Sequence, residues 1–171
     1  TNDSNCSLDD IVQTHNKFLV GMLGNFVNRN LSFINKKFDG EISEANIDES
    51  IRSSNQNYYN IIGEYFEKGE IRSGVTQIFE YIALANKYYD SKQPWIQVKN
   101  DIDAFNDTTY TCTYIIANIS NLIAPILPNA SLKIKEILNL PKYKWEEIII
   151  KGNYKVENLQ VLYNKIDEDK K

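Results

Sequence analysis

The sequence is poor in the residues that turn-rich, metal-bound or disulfide-bonded proteins depend on. Its 171 residues include 7 Gly and 4 Pro, and since a β-sandwich would need many more turns, long helices are favoured. Cys6 and Cys112 stand far apart without a CxxC or Cys/His cluster, and His15 is the only histidine. This set predicts no zinc site. It favours two small thiols in a reducing compartment, with a disulfide between them as the open alternative.

Sequence motifs for catalysis and for membrane insertion are also missing. We find no Gly-rich phosphate loop, HExxH motif or nucleophile elbow, and one histidine leaves few options for a general base near neutral pH. No run of about 18 apolar residues is present, and the polar start of the chain does not resemble a signal peptide. We therefore expect a cytoplasmic chain with no catalytic residues, no bound metal and no membrane contact.

The composition is that of a folded protein with a slight acidic excess. Hydrophobic residues make up 42% of the chain and charged residues 25%, which is enough to bury a core. The net charge of −4 comes from 19 basic and 23 acidic side chains. This balance argues against a free-standing nucleic-acid binder but allows a local basic groove, whose RNA affinity would be modest and dependent on salt.

Apolar residues recur at steps of three and four along most of the chain, which predicts amphipathic helices. A capping pattern at Ser7 begins the first of them, and Asp39-Gly40 ends it. The other predicted helices cover residues 46–67, 70–90, 100–123 and 129–139. Strand competes in 100–123, where β-branched and aromatic residues are frequent, but the length of the segment favours helix.

We therefore expect an all-α protein, a bundle of about five helices. A turn at 90–94 separates the third helix from the fourth, and residues 145–150 and 159–163 are expected to pack on the bundle as extended or loop segments. The helical domain is predicted to span 7–166, between a flexible leader at 1–6 and a charged tail at 167–171.

Asn25 and Arg29 form the first candidate site. They lie four residues apart on the first predicted helix, and therefore about 40° apart on one face. Arg offers a rigid fork of donors and Asn both a donor and an acceptor, so together they can read the edges of unstacked bases. Gly21 and Gly24 precede them, and glycine in a helix indicates a packing or access reason. The alternative is a polar network that ties the helix to a loop.

Pro94-Trp95 is the second candidate. Proline suits a helix start or a rigid turn, and a Trp held on such a backbone is a stacking platform for a base, worth about 1–3 kcal/mol. The alternative is a core Trp that seals a helix end. Four lysines are candidates for phosphate contacts, or are ordinary solvated lysines: Lys36, Lys87, Lys92 and Lys99.

Four segments resemble, in order, the anticodon-binding domain of methionyl-tRNA synthetases. They are LGNFVNRNLSFINKKFDGEI (23–42), ALANKYYDSKQPW (83–95), LIAPILPNASLKIKEILNL (122–140) and VLYNKID (161–167). The resemblance implies a helix bundle joined to a class I catalytic domain. It also implies two partners, that catalytic domain and methionine tRNA, both initiator and elongator.

The resemblance assigns roles to the candidate residues. Trp95 would stack on the first base of the CAU anticodon, with Pro94 setting its orientation, and Asn25 and Arg29 would hydrogen-bond to anticodon bases. ATP and methionine would be bound by the catalytic domain, whose nucleotide-binding signatures are absent from this sequence. The chain alone is therefore expected not to aminoacylate, and its start at Thr1 favours an excised piece over a free-standing protein.

Two other interpretations stay open. A protein-interaction module could have kept the fold and lost RNA reading, and the acidic balance is its best support. A sister class I synthetase domain, for valine, leucine, isoleucine or cysteine, would share the helical architecture but gives no reason for all four segments.

Overall fold

A computed structural model describes the backbone of residues 2–156 and the side chains of residues 17–156. This part of the chain forms α1 (Asn2–Phe38), α2 (Glu49–Glu67), α3 (Ile71–Lys92), α4 (Pro94–Asn100), α5 (Ile102–Ile123) and α6 (Pro128–Leu138). Two short strands, β1 (Glu41–Ile42) and β2 (Tyr154–Lys155), pair antiparallel with Ile42 opposite Tyr154. The predicted all-α helix bundle is confirmed.

Local side-chain chemistry explains where several helices begin. Asp48 caps α2, since its carboxylate accepts a hydrogen bond of 2.9 Å from the backbone N–H of Ser50. Asp101 caps α5 in the same way, at 3.1 Å from the N–H of Ala104. Between α3 and α4, Gln93 is left-handed, with a φ of 51°. Pro94 then occupies the first turn of α4, where its missing N–H costs nothing.

Two sequence predictions are wrong at helix boundaries. The predicted leader at 1–6 and the cap at Ser7 do not hold, because α1 already begins at Asn2. No Gly or Pro lies between residues 2 and 20 to stop the helix. The predicted turn at 90–94 is in fact the end of α3, one left-handed residue and the start of α4. The predicted domain end at 166, the segment 159–163 and the tail 167–171 lie outside the described residues.

Helix α5 lies at the centre of the bundle. Its residues are buried without interruption from Thr108 to Ile123, because α1, α2, α3, α4 and α6 all pack against it. A helix enclosed on all sides needs apolar residues all around rather than on one stripe. This explains why β-branched and aromatic residues fill the segment that also suited a strand.

The segment 145–150 packs back on α2 and α5, as predicted. Ile148 and Ile150 are buried, and the indole N–H of Trp145 donates to the backbone carbonyl of Tyr59 at 3.2 Å. The amide of Asn118 on α5 accepts from the N–H of Ile148 at 2.7 Å and donates to its carbonyl at 3.1 Å. The backbone N–H and carbonyl of Ile148, which lies in neither a helix nor a strand, are therefore satisfied by a side chain. Within residues 2–156, no helix is both long enough and apolar enough to cross a membrane.

Alanine substitutions at two helical glycines should change the free energy of unfolding in opposite directions. A Cβ on Gly63 would lie 2.6 Å from Nε1 of Trp145, whereas one on Gly21 would meet nothing within 4 Å. We expect Gly63→Ala to lower the free energy of unfolding by roughly 1–2 kcal/mol through overpacking. Gly21→Ala should raise it by roughly 0.5–1 kcal/mol through helix propensity. Urea unfolding of both variants checks the pair, and a stabilised Gly63→Ala would contradict the packing described here.

Candidate nucleic-acid interface

Arg29, Tyr89 and Trp95, from three different helices, form one cluster, called here the Arg–Tyr–Trp cluster. The guanidinium carbon of Arg29, on α1, lies 4.7 Å from the ring centroid of Tyr89 on α3. The ring of Trp95, on α4, lies 6.0 Å from the Tyr89 ring, centroid to centroid, at an interplanar angle of 46°. The structure thus brings together two candidate residues that are 66 positions apart in the sequence, through a tyrosine that the sequence analysis missed.

Trp95 lies at the start of a helix and is open to solvent. It follows the buried Pro94 in the first turn of α4, and its residue exposure is 40%. The alternative in which this indole seals a helix end inside the core therefore does not describe the structure. A partly exposed indole on a proline-anchored helix start has a free surface on which a planar group can stack.

Asn25 and Arg29 are presented at the edge of α1, as their spacing predicts. Asn25 is exposed, and the Arg29 side chain is 32% exposed. The guanidinium is not free, because it forms an ion pair and hydrogen bond with Asp90 of α3, whose side chain is 57% exposed. The polar-network alternative thus holds in part for Arg29. Ion pairs this exposed contribute only about 0–1 kcal/mol, so a ligand can compete with Asp90.

Tyr89 supports the cluster from the core side. Burial raises the pKa of its phenol, with the nearby Cys112 adding to the effect and Arg29 opposing it. The hydroxyl therefore stays protonated, and it donates a hydrogen bond of 3.3 Å to the backbone carbonyl of Arg29. Tyr89 and Asp90 both belong to the segment 83–95 on which the resemblance rests. No local spacing identifies them, because their contacts with Arg29 run from α3 to α1.

The four candidate lysines are all exposed, but helix geometry places them differently. Lys99 follows Trp95 by four residues on α4, and Lys36 follows Arg29 by seven on α1, so each shares a face with a member of the cluster. Lys92 ends α3, with its ammonium 5.6 Å from the ring centroid of Tyr88. Lys87 is two residues from the buried Tyr89 and therefore faces solvent, and it lies about 60° around α3 from Asp90, the partner of Arg29.

The sequence profile of the anticodon-binding domain of methionyl tRNA ligase matches residues 40–171. The chain belongs to this family. Two relatives are the methionine--tRNA ligases of Bacillus mycoides (strain KBAB4), 35% identical over 165 residues, and of Alkaliphilus oremlandii (strain OhILAs), 32% identical over 166. These matches cover 96% and 97% of this chain but 30% and 31% of the relatives, so the chain spans about three-tenths of their length.

Solved structures share the fold of this anticodon-binding domain. The apo form of Mycobacterium tuberculosis methionyl-tRNA synthetase aligns with a TM-score of 0.75 at 21% identity, over 87% of this chain and 32% of that one. The same enzyme bound by methionyl-adenylate gives a TM-score of 0.73 at 20% identity, over 80% and 29%. The matched profile includes Pro94 and Trp95, whereas Asn25 and Arg29 precede it.

Proposed function

We propose that this domain recognises the CAU anticodon of methionine tRNA, both initiator and elongator, as part of a cytoplasmic methionine--tRNA ligase. The observation that carries the proposal is the exposed indole of Trp95, grouped with the Arg29 guanidinium in a chain of this family. ATP and methionine binding, and aminoacylation itself, belong to a catalytic domain that works with this one. The domain alone is expected to bind RNA and to catalyse nothing.

The candidate side chains contact the anticodon in two ways, by stacking and by hydrogen bonding. A base turned out of the anticodon loop can stack on the Trp95 ring, which accepts the face of any base and so provides affinity. Arg29 donates to carbonyl and ring-nitrogen acceptors, and Asn25 can both donate and accept, so these two residues discriminate between base edges. Asp90 accepts from Arg29 in the free domain, and its weak, exposed ion pair is exchanged for the base edge when RNA binds.

Backbone contacts would come from the lysines that share the cluster's side of the molecule. Lys36 and Lys99 share a helix face with Arg29 and Trp95, and Lys87 lies one turn before Asp90 on α3, whereas the Lys92 ammonium lies over the Tyr88 ring. Each phosphate neutralised releases condensed counterions, so affinity falls as salt rises. With a net charge of −4, the domain has little long-range attraction for RNA, and we expect the binding to be weak and local.

Anticodon-swapped RNA tests the proposal. Binding of the domain is measured by fluorescence anisotropy with two stem-loops that share one stem, one with a CAU loop and one with the permuted loop UAC, over a range of salt concentrations. We expect CAU to bind roughly tenfold or more tightly, since a site built to hydrogen-bond a base edge loses about 1–3 kcal/mol for an unsatisfied partner. Equal binding would overturn the proposal and favour the protein-interaction module.

Lys99 and Lys144 offer a matched pair for the phosphate contacts. Lys99→Gln should lower the slope of log affinity against log salt by about 0.7–1, the contribution of one phosphate. Its CAU preference should be unchanged, because a phosphate contact carries no base information. Lys144→Gln, an identical change at an exposed lysine beside Trp145, which packs on α2, should leave the slope as it is. Equal effects of the two substitutions would show that only overall charge matters.

A further inference from the structure

We propose that Tyr89 is a positioning residue that fixes the Arg29 guanidinium and the Trp95 indole relative to each other before RNA arrives. The proposal rests on the proposed function, since it concerns how Arg29 and Trp95, the two side chains proposed to contact the anticodon and called here the readers, are held. Its consequence is that the anticodon loop meets a preformed surface rather than two independent side chains on separate helices.

Three contacts converge on this one side chain. The Tyr89 ring lies under the guanidinium of Arg29, 4.7 Å from its central carbon, and its hydroxyl donates to the Arg29 backbone carbonyl at 3.3 Å. The ring also packs against Trp95, at 6.0 Å between centroids. Tyr89 thus contacts the side chain and the main chain of one reader and the ring of the other.

The position of Tyr89 in the fold suits this role. It lies in the last turns of α3, and α3 packs against both α1 and α4. Only 4% of the residue is exposed, so it has little surface of its own to offer RNA, and its two side-chain dihedrals are held by packing. Arg29, by contrast, has a long side chain with many rotamers. Restricting it in advance reduces the entropy lost on binding.

The first test needs no RNA. In a Trp145→Phe background Trp95 is the single Trp, because the chain has 2, and its emission and time-resolved anisotropy report on the indole alone. Tyr89→Leu should shift the emission to the red and speed the local anisotropy decay, whereas Tyr89→Phe, which keeps the ring, should not. Tyr58→Leu is the matched control: it removes an aromatic stacked on Tyr81 at 4.6 Å, and Trp95 should not respond. Unchanged Trp95 motion in Tyr89→Leu would overturn the proposal.

The second test measures recognition. Tyr89→Leu should weaken binding of the CAU stem-loop by roughly fivefold to thirtyfold and reduce the preference over the UAC loop, while Tyr89→Phe and Tyr58→Leu stay close to the wild type. In the Tyr89→Leu background, Arg29→Ala should cost less affinity than it does in the wild type, because the reader it removes is already loosely held. Should Tyr89→Leu fail to fold by circular dichroism, Tyr89→Met fills a similar volume and the same losses are expected.

The outcomes separate the two proposals. If the wild-type domain does not prefer CAU, the proposed function fails, and the Trp95 fluorescence still shows whether Tyr89 holds the indole. If the wild type prefers CAU and Tyr89→Leu keeps both the affinity and the preference, the positioning role fails and the proposed function stands. A loss in Tyr58→Leu equal to that in Tyr89→Leu would assign the effect to general destabilisation and would also overturn the positioning role.

Discussion

Trp95→Ala is expected to weaken binding of a CAU stem-loop by roughly fivefold to 150-fold, the equivalent of about 1–3 kcal/mol for one base stacked on an aromatic ring. The substitution removes the exposed platform and leaves Arg29 and Asn25 in place. Because 40% of Trp95 is exposed and the buried anchor of α4 is Pro94, we expect only a small loss of folding stability. Anisotropy titration for affinity and thermal unfolding for stability measure the two effects on the same samples.

Two further variants serve as controls for Trp95→Ala. Trp95→Phe keeps a smaller aromatic face and should recover part of the lost affinity. Trp145→Phe changes the other indole, which packs against Tyr59 and Phe66, and should leave RNA binding unaltered. Wild-type affinity in Trp95→Ala would exclude stacking on this residue, and with it the observation on which the proposed function depends.

Asn118→Ala is expected to cause the largest loss of stability, roughly 3 kcal/mol or more, through buried hydrogen-bonding groups left without partners. Its side chain is fully buried and serves four bonds. It accepts from the Tyr59 hydroxyl at 2.9 Å and from the N–H of Ile148 at 2.7 Å, and it donates to the carbonyls of Tyr114 at 2.9 Å and Ile148 at 3.1 Å. Removing the amide leaves the backbone N–H and the backbone carbonyl of Ile148 without hydrogen-bond partners.

The melting temperature should therefore fall by roughly 6–12 °C, given about 2–4 °C per kcal/mol for a domain of this size. Asn60→Ala is the matched control. Asn60 is exposed on α2 and accepts one bond, from Gln56 at 3.3 Å, so its loss should be neutral or slightly stabilising through helix propensity.

Because the Asn118 network joins α2, α5 and 145–150 while the Arg–Tyr–Trp cluster lies on α1, α3 and α4, Asn118→Ala should retain CAU binding below its melting temperature. Equal melting of the two variants would contradict the network.

The candidate site illustrates which contacts a sequence can predict. Asn25 and Arg29 share a face because four residues of helix fix their relative angle, and Pro94 restrains the backbone of its neighbour Trp95. Both are local effects. Asp90 and Tyr89 could not be assigned in this way, because their contacts with Arg29 span 61 and 60 residues of chain and depend on how α1 packs against α3.

The helix boundaries illustrate the same division. Capping by Asp48 and Asp101 and the breaks at Gly40 and Gly69 depend on neighbouring residues. The turn expected at 90–94 is instead the end of α3, one left-handed residue and the start of α4, since a single left-handed residue is enough to join two helices. The β1–β2 pair was not predicted, because strands of two residues are too short to show a periodicity and their partners are more than a hundred positions apart.

By itself, the sequence determined the all-α class, a helix over most of 100–123 and two local pairs, Asn25 with Arg29 and Pro94 with Trp95, whose geometry is set within one or two helical turns. Helix periodicity and proline stereochemistry act over those short distances, so a one-dimensional pattern is sufficient. Only the tertiary structure decided that Arg29 and Trp95 belong to one cluster, that Tyr89 lies between them and that Asn118 satisfies the backbone of Ile148. Each of these depends on the packing angle and register of separate helices, which arise from the whole core at once.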